Sequence, residues 1–143
     1  MSKSYKIVAS DGTPEDLVTM SYEELDNLKE ELEQWRDGMM GTNLESSEKY
    51  NMLDEAVNAL EECQAPEPET WPHNEARISY SDMVPKRKRR NPSRAVRLAN
   101  ATGRLQAVID FYQSLDEQPD EVTELVEHLE QHVIEVELPG MYG

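Results

Sequence analysis

Apolar residues return every three or four positions in four stretches of this chain, and glycine or proline interrupts the rhythm between them. Leu25, Leu28, Leu32, Trp35 and Met39 form the first stripe, a spacing that places all five on one helical face. Ser21, with Glu24 three residues on, is a capping-box pattern and marks the expected start of that helix. Thr13, Pro14 and Asp16 predict a separate short helical turn before it, and Gly38 and Gly41 predict the stop. Tyr50, Leu53, Val57 and Leu60, with Ala56 alongside, make the second stripe after a loop over 43–47. Two such helices with a short connection read as an antiparallel hairpin.

Residues 65–75 hold three prolines and cannot continue a helix. They predict a linker or crossing strap, and Trp71 within it calls for a surface to cover its ring. Asn91-Pro92 is read as the start of a third helix, with Pro92 at its first position and Leu98, Ala101, Leu105, Val108, Tyr112 and Leu115 as its stripe. Gly103 inside that stripe is read as a point of close helix approach. Pro119 opens a fourth helix, with Asp120 and Glu121 at the positive end of its dipole and Val122, Leu125, Leu129, Val133 and Val136 along one side. At the other end of the chain, Tyr5 to Ala9 reads as a short strand or extended arm, followed by a turn at Asp11-Gly12.

The predicted fold class is therefore mainly α: two antiparallel helical hairpins joined by a proline-rich strap and packed as a four-helix arrangement, with a short N-terminal strand. The expected units are 1–64, the arm and an acidic hairpin; 65–91, the strap and a basic segment; and 92–143, a second hairpin and a tail. A homodimer is the alternative way to bury stripes this narrow.

Charge changes the picture most. Across 143 residues the net charge is −16, which favours basic partners and disfavours anionic membranes and nucleic acid on average. The charge is arranged in blocks. Residues 1–76 carry net −14, residues 77–104 carry net +8 with Asp82 as their one acid, and residues 105–143 carry net −10 with no lysine or arginine. Such asymmetry points either to a local electrostatic site or to an internal clamp between blocks. Cys63 is the one cysteine, so no intramolecular disulfide can form, in keeping with a reducing compartment. No apolar run approaches the ~18 residues of a membrane span, and the opening residues lack the apolar stretch of a signal peptide. The expectation is a cytoplasmic chain with no membrane contact.

Two surfaces are candidates for binding. Glu23, Glu24, Glu30, Glu31 and Glu33 crowd the first long helix, and Glu121, Glu124, Glu127 and Glu130 recur every three residues along the last. Carboxylates so spaced can face a basic protein surface, or imitate a row of phosphates in a groove built for nucleic acid; as plain solubilising faces they would do neither. Lys86, Arg87, Lys88, Arg89 and Arg90, continued by Arg94, Arg97 and Arg104, form the opposite patch. It suits phosphates or an acidic partner, although Tyr80 is the one nearby ring for base stacking. Its alternative role is to dock on the chain's own acids.

Catalytic chemistry finds little support, and the expectation is a protein that is not an enzyme and needs no cofactor. His128 and His132 share a helix face near Glu124, but His-Leu-Glu-Gln-His is not the His-Glu-x-x-His of zinc peptidases, and both read as exposed histidines on an acidic face. No metal site is expected. Glu30-x-x-Glu33 and Glu45-x-x-Glu48 resemble the paired acidic motifs of all-helical nucleotide pyrophosphohydrolases, which hold magnesium beside a triphosphate. The second pair ends in Glu rather than Asp, and no lysine or asparagine set completes the site. Nothing in the sequence activates the Cys63 thiol.

Leu32-Glu33-Gln34-Trp35-Arg36-Asp37, followed by Leu44-Glu45-Ser46-Ser47-Glu48-Lys49-Tyr50 and Leu53 to Glu62, is similar to helical-hairpin segments in small uncharacterised proteins of tailed bacteriophages. The similarity spans residues 22–64 and brings no catalytic motif. It implies a phage accessory protein in the host cytoplasm that binds or inhibits a host protein.

Overall fold

The computed structural model describes residues 5–42, 47–87 and 91–134. In chain order the elements are β1 (Tyr5–Gly12), α1 (Pro14–Met39), α2 (Glu48–Glu61), β2 (Ile78–Pro85), α3 (Arg94–Gln113) and α4 (Asp120–Glu130). The chain is mainly helical, with a two-stranded sheet that includes the expected N-terminal strand.

The first helix is longer than its capping box predicts. Thr13 Oγ1 accepts the Asp16 amide at 3.2 Å, Pro14 takes the first turn, and the helix runs unbroken for 26 residues. The expected short turn and the expected start at Ser21 are one helix. Ser21 is buried inside it, its hydroxyl donating to the Leu17 carbonyl at 2.9 Å. No proline or glycine separates the two start signals, and Leu17, Val18 and Tyr22 extend the apolar stripe towards the N-terminus. The stop is as expected: the helix ends at Met39, and Gly41 follows at φ +80°, a conformation that favours glycine.

Ser47 caps α2 and Ser93 caps α3 by accepting the amides of Tyr50 and Val96. Pro92 thus precedes the α3 cap instead of occupying its first turn. Pro119 stands at the cap position of α4, with Asp120 and Glu121 in the first turn. That helix ends at Glu130, so Val133 follows it as a half-buried residue, and Val136 lies outside the described residues. Gly103 does not mark a close approach: it is exposed, with nothing within 4 Å of the place a Cβ would take.

The helical stripes meet in one apolar cluster. Leu17, Leu28, Leu32, Leu53, Leu105 and Leu129 are all fully buried in it. α1 packs against α2 and α3, and α3 also packs against β2 and α4. The strap is tied to this core: the Tyr112 hydroxyl donates to the Pro72 carbonyl at 2.8 Å, and Trp71 lies half-buried against the cluster.

The second strand was not expected. β1 and β2 pair antiparallel over eight positions, from Tyr5 opposite Pro85 to Gly12 opposite Ile78. Asp11 and Gly12 complete the first strand rather than turning. Ile78 is buried and Ser79 exposed, Tyr80 half-buried and Ser81 exposed, an alternation of period two that identifies a strand with one covered face. Among the described residues no helix is long and apolar enough to cross a membrane.

Candidate protein-binding surfaces

The helical part of the basic block turns inward. Arg97 Nη2 lies 2.8 Å from Glu24 and 2.7 Å from Glu31, and Arg94 Nε lies 3.0 Å from Glu31. Hydrogen bonding from Arg97 is the main cause that holds the Glu31 carboxyl below its ordinary value, and the Glu31 and Glu24 carboxylates in turn raise the guanidinium of Arg97. Arg94 also stacks over the Trp35 ring, its guanidinium carbon 5.3 Å from the centroid. Arg104 reaches Asp82 at 2.7 Å, with its guanidinium over Tyr80. Three cations of the expected patch therefore clamp α3 to α1 and β2. Lys86 and Arg87 are exposed, while Lys88, Arg89 and Arg90 lie outside the described residues.

The acidic residues divide accordingly. Glu24 and Glu31 face the arginines of α3, whereas Glu23 and Glu30 are exposed and Glu33 half-exposed on α1. Glu121, Glu124, Glu127 and Glu130 are all exposed along α4. Among the described residues no lysine or arginine forms an ion pair with any of these four.

The strap adds acids beyond those of the two helical faces. Residues 65–72 run beside α4 and enclose a cleft of about 540 Å³. Glu67 and Glu69 line one wall, Glu121, Glu124 and His128 the other, and Leu125 contributes apolar surface. Among the described residues no lysine or arginine borders it. The Pro-Glu-Pro-Glu alternation was the available signal, since prolines at 66 and 68 hold the chain extended and so set the intervening carboxylates along one segment.

The two histidines act as ties. His128 Nε2 contacts the Gln64 carbonyl at 2.6 Å, joining α4 to the start of the strap. His132 is not on an exposed face: it is only 5% exposed, with Nδ1 2.5 Å from the Tyr22 hydroxyl and a further hydrogen bond to the Glu62 backbone. Burial, then the neighbouring His128, lowers its pKa and favours the neutral ring. The Cys63 thiol nearby is pushed up to about 11 by burial and then by Glu62, so it stays protonated at neutral pH. Among the described residues no three histidine, cysteine or acidic side chains gather as a metal site. Of the paired acidic motifs, Glu30 and Glu33 lie on α1, Glu48 opens α2, and Glu45 is outside the described residues.

The chain matches no family model, no curated protein and no solved structure.

Proposed function

We propose that this chain is a non-catalytic binding protein whose acidic strap and α4 engage a basic protein surface. One observation carries the reading: the cleft between strap and α4 has carboxylates on both walls and, among the described residues, no lysine or arginine at its border, while the arginines of α3 neutralise acids elsewhere. A concave, uncompensated negative surface attracts lysine and arginine side chains, speeds encounter and selects against acidic partners. The ties made by Tyr112 and His128 hold the strap in place before binding, which lowers the ordering cost of association. The resemblance of residues 22–64 to phage accessory proteins makes a host protein in the bacterial cytoplasm the partner to look for. Contact with nucleic acid through Lys86 and Arg87, both exposed, is the second reading.

The deciding experiment is affinity capture from a bacterial lysate. It compares the unaltered chain, a variant with Glu67, Glu69, Glu121 and Glu124 all changed to glutamine, and a variant with Lys86 to Arg90 neutralised. The proposal expects basic proteins on the unaltered chain, released by salt and absent from the glutamine variant. Retention of nucleic acid that survives the glutamine changes and vanishes with the neutralised basic run would replace it with the second reading.

A further inference from the structure

The two edges of the small sheet are treated differently. Met83 donates its backbone N–H to Asn100 Oδ1 at 2.9 Å and accepts from Asn100 Nδ2 at 3.0 Å. Both polar groups of Met83 therefore point away from β1, which makes Ile7 and Met83 a pair not bonded to each other in the ladder. By the same two-residue alternation, Ser79, Ser81 and Pro85 also direct their backbone groups outward from β2. Of the four outward positions, Pro85 has no N–H to offer and Met83 is covered by the Asn100 amide. That outer edge is protected against strand addition.

On β1 the parity points the backbone groups of Ile7 and Ala9 outward as well, and among the described residues neither has a hydrogen-bond partner there. Residues 6 to 11 are all exposed; Ile7 is 68% exposed and Val8 39%. Proline is absent from this strand, and its single lysine, Lys6, lies near one end. We propose that the free edge of β1 receives an extended segment of a basic partner protein, added as a third strand through the backbone of Ile7 and Ala9.

Charge selects that occupant. At the Gly12 end the sheet meets the first turns of α1 around a depression of about 470 Å³, bordered by Glu15, Asp16 and the exposed Met20. Arg77 borders it too but is paired with Asp11, so Glu15 and Asp16 are left to face a cation. A lysine or arginine can lay its methylenes along Met20 and its charge against these carboxylates. A second copy of this chain brings another net −16 and is repelled. The inference rests on the acidic-binding reading and gives it a backbone-directed contact.

The test uses the full chain and a synthetic peptide of about seven residues alternating lysine and valine, with a glutamate–valine peptide as control. Amide resonances and hydrogen exchange map the contact. The lysine peptide should slow exchange at Ile7 and Ala9 by about tenfold or more, and the glutamate peptide should not. Ala9→Pro removes one outward N–H without touching the β1–β2 ladder, and should weaken binding about tenfold. Ile7→Lys leaves the backbone intact, sets a like charge against the peptide and should also weaken it, which keeps the test valid if the proline variant fails to fold. Lysine-peptide contacts confined to the strap and α4 would overturn the edge proposal and leave the acidic-binding reading standing. No binding anywhere would end both. Protection of Ile7 and Ala9 without peptide, accompanied by dimers in sedimentation, would assign the edge to a second copy and overturn the basic partner.

Discussion

The Tyr22 hydroxyl meets His132 Nδ1 across a separation of 110 residues, fastening the turn that follows α4 to α1. Hydroxyl and Nδ1 share one hydrogen bond, whose donor is set by the imidazole tautomer. The pKa of His132 is lowered in the folded chain by burial and by His128, while the unfolded chain keeps its ordinary value near 6.5. Between the two values the unfolded state binds the extra proton, so stability falls as pH drops through about 6.5 and the contribution is constant above it. Urea denaturation at about pH 7.5 and about pH 5.5 should show this loss, and His132→Gln should flatten it. Equal slopes in the two proteins would show that His132 does not set the pH response.

Removing the other partner tests the same tie without titration. Tyr22→Phe keeps the ring and leaves Nδ1 of a buried histidine unsatisfied, which should cost about 1–3 kcal/mol in urea denaturation. A loss below about 0.5 kcal/mol would mean that water replaces the hydroxyl without penalty.

Arg97 is the hinge point of the charge layout. Its guanidinium serves two carboxylates from two turns of α1, and the group is only 19% exposed. Arg97→Ala would leave Glu24 without its arginine and Glu31 with Arg94 alone in a half-buried seam, and about 1–3 kcal/mol of stability should be lost. Arg97→Lys should recover less than half of that, because one ammonium cannot reproduce the two-sided fork. Full recovery by lysine would reduce the clamp to simple charge balance.

Much of the helical content was legible because burial imposes a period of 3.6 on residues such as Leu53, Ala56, Val57 and Leu60, all buried as the spacing requires. Start signals were less legible, since a capping pattern describes a local option that a continuing helix overrides. Ser21 separates the two cases experimentally. As a cap it would contribute about 1 kcal/mol against alanine. As a mid-helix residue bonded to the Leu17 carbonyl, its replacement by alanine should change stability by less than about 0.5 kcal/mol, hydroxyl loss being offset by better helix propensity. The acidic candidates were legible as residues but not as a surface: nothing local says that Glu24 and Glu31 will meet Arg97, or that the strap will bring Glu67 and Glu69 to α4. These are long-range consequences of helix packing.

The second strand went unread because its neighbourhood is dominated by charge, and because its partner lies over 60 residues away, where no hairpin turn announces it. Asn100 shows what such a strand needs once formed. Its side chain replaces a neighbouring strand at Met83, offering one acceptor and one donor from an amide with the same geometry as backbone. Asn100→Ala should therefore cost about 1–2 kcal/mol, roughly the net worth of two hydrogen bonds now exchanged with water. It should also open the β2 edge. Hydrogen exchange at Met83 should accelerate while the buried amides of α3 keep their protection. Asn100→Asp distinguishes the two halves of the contact: a carboxylate still accepts from the Met83 amide, so protection of that amide should persist at neutral pH, while repulsion of the Met83 carbonyl should cost stability that returns only below about pH 4, where the carboxyl regains a donor.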